Sequence, residues 1–100
     1  MSDTNDKKTL DDAREEINRV DREMAQLFLR RMRAVALVAE YKRGAGMAVY
    51  DPERERQIIE RNSATLPEDM REYYATYQSG VMSVSRMYQK RLLSDEKTDK

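Results

Sequence analysis

From Leu10 to Arg43 the chain contains no proline and no glycine, and over that stretch its apolar residues recur at alternating steps of three and four. Leu10, Ala13, Ile17, Val20, Met24, Leu27, Ala34, Val38 and Tyr41 form one stripe of a single helix, broken only by Arg31. Thr9 or Asp11 is the expected cap, and Gly44-Ala45-Gly46 the expected stop. A helix of about 35 residues would be roughly 50 Å long, whereas a 100-residue globule has a radius of gyration near 13 Å. One compact chain cannot enclose such an element, so its stripe is expected to be covered by another copy of the same chain in a homodimer. A plain two-stranded coiled coil would place Leu or Ile at most seam positions. This seam uses Ala13, Met24, Arg31 and Ala34, which suits a zipper poorly.

After the glycines, Asp51-Pro52 reads as an N-cap and first helical residue, with Glu53 and Glu55 in the first turn of a short helix ending near Asn62. A third helix is expected from about Leu66-Pro67 to Leu93, with Met70, Tyr74, Tyr77, Val81, Val84 and Tyr88 as its apolar row. The fold class expected is therefore all-α, with one long, one short and one long helix per chain in an intertwined homodimer. Residues 1–8 are expected to be disordered, residues 9–93 to form the helical domain, and the charged segment 94–100 to be flexible.

Composition narrows the chemistry. Nineteen basic and nineteen acidic residues cancel to a formal net charge of zero, which argues against a nucleic-acid partner. No apolar run is long enough for a signal peptide or a membrane span, so a soluble cytoplasmic protein without a membrane partner is expected. Histidine and cysteine are both absent, which removes imidazole bases, thiolate nucleophiles, Ser-His triads and nitrogen or sulfur zinc ligands. With only three glycines there is no glycine-rich phosphate cradle. Neither a metal nor a cofactor is expected. A reaction run by such a chain must depend on positioning and charge.

Arg31 and Lys42, eleven residues apart, fall within about 20° of one another around an ideal helix and about 16 Å apart along it. Two long cationic side chains can thus reach toward one small anion. Arg14 lies about 25 Å from Arg31 and turned by about 100°, so it could join them only from an antiparallel second copy. Its alternative is a solvated ion pair with Glu15, Glu16 or Asp21. On the third helix Gln78, Met82, Ser85 and Gln89 form a three-four row beside the apolar one, either facing an interior pocket or merely bordering the core.

The order of these residues resembles one enzyme family. Ala13-Arg14-Glu15-Glu16-Ile17 and Val20-Asp21, then Arg30-Arg31, Lys42, Tyr50-Asp51-Pro52-Glu53-Arg54-Glu55-Arg56, and finally Ser85 with Gln89, are similar to the all-helical chorismate mutases over about Leu10 to Leu92. The resemblance implies an intertwined dimer with two active sites that converts chorismate to prephenate on the route to phenylalanine and tyrosine. It implies that Arg31 binds one substrate carboxylate from its own chain and Arg14 the other from across the dimer. By the same resemblance Lys42 bridges a carboxylate and the ether oxygen, Gln89 donates to that oxygen, and Glu55 accepts from the ring hydroxyl. Asp51 and Arg54 match positions that close over the substrate, Ser85 lies beside it, and Val38 and Met82 supply apolar walls. Two other readings remain: an isochorismate pyruvate lyase, which shares the fold and the cations, and a silent dimerisation or regulatory module. A pathway enzyme as partner would leave no signal in such a sequence.

Overall fold

A computed structural model describes the backbone of residues 2–98 and the side chains of residues 7–94. Three α-helices and one 3-10 turn are present, with no strand among the described residues: α1 (Ser2–Ala45), α2 (Pro52–Ser63), the turn Glu68–Met70, and α3 (Arg71–Thr98). None of these helices is long and apolar enough to cross a membrane. Both outer helices reach further than expected. α1 is already helical at Ser2, inside the 1–8 segment expected to precede it, and α3 passes Leu93 to reach Thr98. The physical reason is the same at both ends, because no proline or glycine stands between Ser2 and Arg43 or after Gly80 to halt propagation. Met1, Asp99 and Lys100, which also belonged to those expectations, lie outside the described residues.

The chain divides into two units, Met1–Arg33 and Ala34–Lys100. In the first, every described side chain from Lys7 to Arg30 is exposed, including Leu10, Ile17, Val20, Met24, Leu27, Phe28 and Leu29. The expected stripe is therefore present as an amphipathic face, and nothing in its own unit covers it. Among the polar residues there, Arg19 donates to Glu16 at 2.7 Å in an exposed i,i+3 pair, which raises the Arg19 guanidinium pKa. Such a surface pair contributes little to stability.

The second unit contains the end of α1 together with α2, the 3-10 turn and α3. α1 stops in a Schellman motif, in which Met47 N donates to Lys42 O at 2.9 Å and Gly46 N to Arg43 O at 3.4 Å. Gly46 takes φ 67°, the left-handed conformation that this ending requires and that glycine adopts most readily. Asp51 then caps α2, its Oδ1 accepting from Arg54 N at 3.1 Å, with Pro52 in the first turn. On the outer face of α2 Arg56 pairs with both Glu53 and Glu60. Hydrogen bonds from Arg56 and then Gln57 hold the exposed Glu53 carboxyl below its ordinary range. Arg71 Nε donates to Leu66 O at 3.0 Å, fastening the loop that leads into α3. Asn62 Nδ2 donates to the Tyr74 hydroxyl at 3.3 Å and ties the end of α2 to α3.

Burial in this unit departs from the expected rows in an informative way. On α1 the buried residues are Val35 and Ala39, 8% and 1% exposed, whereas Val38 and Tyr41 of the expected seam are 45% and 70% exposed. On α3 the expected apolar row is only partly covered, with Tyr74, Val81 and Tyr88 half-buried but Met70, Tyr77 and Val84 exposed. Its deepest residues are the polar row: Gln78, Met82, Ser85 and Gln89 are 9%, 3%, 6% and 7% exposed. The usual preference is thus inverted on this helix, with amides inside and an apolar face outside. Each large apolar side chain left in water forgoes about 1.5–3 kcal/mol of burial free energy.

Candidate functional site

Eight of the site residues singled out from the sequence fall in the second unit, on three elements: α1, the start of α2, and α3. From α1 comes Lys42, half-buried on the same face as Val35 and Ala39. Its Nζ donates to the Val49 carbonyl at 2.7 Å, while its own carbonyl accepts from Met47 N at 2.9 Å. Both ends of Lys42 thereby hold the short loop before α2, and the ammonium is fixed against backbone rather than swinging in solvent.

From the start of α2 come Asp51, Arg54 and Glu55. Asp51 and Arg54 are exposed, and the Asp51 carboxylate is engaged as the helix cap. Removing it as Asp51→Ala should cost about 1 kcal/mol of stability, read from urea unfolding at fixed protein concentration. Glu55 turns the other way and is half-buried. Both its oxygens accept from Arg86 Nη1 of α3, each at 2.6 Å. The guanidinium of Arg86 also lies over the Tyr50 ring, 4.8 Å from its centre. The hydrogen bond that Arg86 donates to Glu55 raises the Arg86 pKa against the opposing effect of desolvation.

From α3 come Met82, Ser85 and Gln89, which share one buried face with Gln78. Ser85 Oγ donates to Val81 O at 3.1 Å, so its hydroxyl is oriented by its own helix. Gln89 is different: its Oε1 is enclosed and has no hydrogen-bond partner among the described residues. Leaving a buried amide oxygen unmatched costs about 1–3 kcal/mol, a cost that is recovered if a bound ligand or a second chain completes the site.

The first unit holds Arg14, which is exposed, and Arg31, which is half-buried. Val38, expected as an apolar wall, belongs to the second unit and points away from its buried face. Val35 and Ala39 occupy that interior instead. Arg86 was not singled out from the sequence. Glu55 and Arg86 are 31 residues apart, so no local spacing announces the pair. Among the described residues no cluster of acidic side chains is arranged to hold a metal ion.

What this arrangement can do is bounded by its groups. They comprise a held ammonium, two buried amides, a hydroxyl and an oriented carboxylate, groups that hydrogen-bond small polar molecules. They include no nucleophile activated by a base. Comparison with known proteins points the same way. The family model described as chorismate mutase type II matches residues 13–90. One curated relative, the T-protein of Haemophilus influenzae, is 39% identical over a stretch covering 66% of this chain and 21% of that protein, so the chain spans about a fifth of the relative's length. No solved structure gives a significant match.

Proposed function

We infer that this chain, which belongs to the chorismate mutase type II family, converts chorismate to prephenate and does so as a homodimer with two shared sites. The observation that carries the reading is the buried polar row of α3, where the Gln89 amide is enclosed and its oxygen, unpartnered among the described residues, calls for a donor from a ligand hydroxyl or a second chain while its Nε2 is the group that can donate, on a chain that exposes its apolar stripes. A polar interior beside an uncovered apolar exterior suits a ligand inside and a second copy outside. The product feeds phenylalanine and tyrosine formation.

The rearrangement breaks a carbon-oxygen bond and forms a carbon-carbon bond in one concerted step, with no covalent intermediate and no proton to move. The protein has to hold the enolpyruvyl arm over the ring, and that is a matter of two carboxylates. Arg31 takes one from its own chain, and Arg14 of the second copy takes the other through paired charge-assisted hydrogen bonds. As the ether bond lengthens, negative charge gathers on its oxygen, where Lys42 and Gln89 donate more strongly to the transition state than to the substrate. Glu55 accepts from the ring hydroxyl. Asp51 and Arg54 close the entrance at the start of α2, and Ser85 lies beside the substrate. Met82 forms an apolar wall from within the chain, and Val38 contributes from a face that the second copy covers.

Purified protein incubated with chorismate should form prephenate without any added metal or cofactor, and should bind a bicyclic dicarboxylate that mimics the transition state. A parallel incubation with isochorismate should give neither salicylate nor pyruvate at a comparable rate. If chorismate is untouched and the mimic produces no heat on titration, the chain is a non-catalytic helical module.

A further inference from the structure

Arg86 has no part in the reading above, yet it makes a short polar contact between α2 and α3. Both oxygens of Glu55 receive it at 2.6 Å, and the two side chains are 27% and 22% exposed, so water screens the pair only in part. The same guanidinium lies against Tyr50, which follows directly on Val49, the residue whose carbonyl accepts from Lys42. A continuous series of contacts therefore runs from the Lys42 ammonium through the loop to Arg86 and on to Glu55.

We propose that Arg86 is a positioning residue that neutralises and aims Glu55, so that a carboxylate can stand in a site built for a dianionic substrate. This rests on the chorismate mutase reading. The physical need is plain: a partly desolvated carboxylate facing a dicarboxylate repels it, and a paired guanidinium cancels that repulsion. Each carboxylate oxygen carries two acceptor positions, so one bond to Arg86 leaves each able to accept a substrate hydroxyl as well. The Tyr50 ring limits where the guanidinium can sit and thus keeps both bonds in place. Arg86 itself touches no substrate. Its loss acts on how well the dianion binds rather than on the bond-breaking step.

The test measures KM and kcat for chorismate in Arg86→Leu, with and without Glu55→Gln. Arg86→Leu should raise KM about tenfold while kcat changes less than about threefold. Adding Glu55→Gln removes the stranded charge but keeps an acceptor, and should bring KM back down by at least about threefold. Arg86→Lys, which keeps the charge but not the planar guanidinium that rests on Tyr50, should raise KM by less than Arg86→Leu does. Circular dichroism checks the fold of each variant, and Arg86→Gln decides by the same criteria if Arg86→Leu unfolds. A folded charge-deletion variant with KM within about twofold of the parent, or no relief of KM by Glu55→Gln, overturns the positioning role while the parent enzyme remains active. A parent protein inert toward chorismate overturns instead the reading on which the role rests.

Discussion

Lys42→Ala should lower kcat for chorismate about a hundredfold, equivalent to about 3 kcal/mol of lost transition-state stabilisation. The expectation follows from where charge appears. In the ground state the ether oxygen is a neutral, weak acceptor, and an ammonium beside it gains little; at the transition state the oxygen is partly anionic and the same ammonium gains much. Because the gain is differential, the loss should fall mainly on kcat, with a smaller rise in KM from the forfeited carboxylate contact. The contact to Val49 O matters here, since it fixes the direction of Nζ before substrate arrives and lessens the reorganisation needed during reaction. Alanine also releases the loop that Lys42 holds, so unfolding should be measured beside turnover. A kcat within about threefold of the parent, in a variant that still folds, would remove Lys42 from the mechanism.

The second large effect concerns the dimer. Arg14→Ala and Arg31→Ala proteins should each lose at least about a hundredfold in kcat/KM, because on the proposed reading each surrenders one of two carboxylate anchors. Mixed and allowed to exchange subunits, they should recover activity. If Arg14 acts across the interface, a mixed dimer has one site lacking both arginines and one site with both. Random exchange of equal amounts then restores about a quarter of the parent activity, half the dimers being mixed and half the sites in each being intact. If Arg14 served its own chain, every site would lack one arginine whatever the mixture and no recovery would occur. Measured activity after exchange, with exchange itself followed by a mass tag, separates the two outcomes.

Much of the fold was legible because its signals are local. The helix starts at Asp51-Pro52 and the stop at Gly44-Ala45-Gly46 rest on backbone chemistry within four or five residues, and the caps form as expected. The polar row of α3 was legible as a row for the same reason, since steps of three and four place Gln78, Met82, Ser85 and Gln89 on one face wherever the helix lies. Helix ends were less legible at the termini. A capping residue such as Thr9 permits a start but does not compel one, and α1 continues past it to Ser2.

Which face turns inward was not a local matter. On α1 the sequence marks Ala34, Val38 and Tyr41 as the seam, yet within the chain Val35 and Ala39 are buried and the seam is left outside. A helix of this kind carries two useful faces, one for its own chain and one for whatever covers the stripe, and periodicity alone cannot assign them. The Glu55–Arg86 pair shows the same limit at the level of chemistry, because charges 31 residues apart meet only after α2 and α3 have packed.

The sequence by itself determined that this is a helical chain with one element too long for a single globule, and that it carries neither imidazole nor thiol. Those conclusions depend on periodicity and on absent residue types, both of which can be read along the chain. Only the tertiary structure decided that the amides of α3 form the interior while apolar side chains face out, and that Glu55 meets Arg86. Burial and long-range pairing are set by which surfaces meet, and that depends on the free energy of the packed unit rather than on any stretch of it.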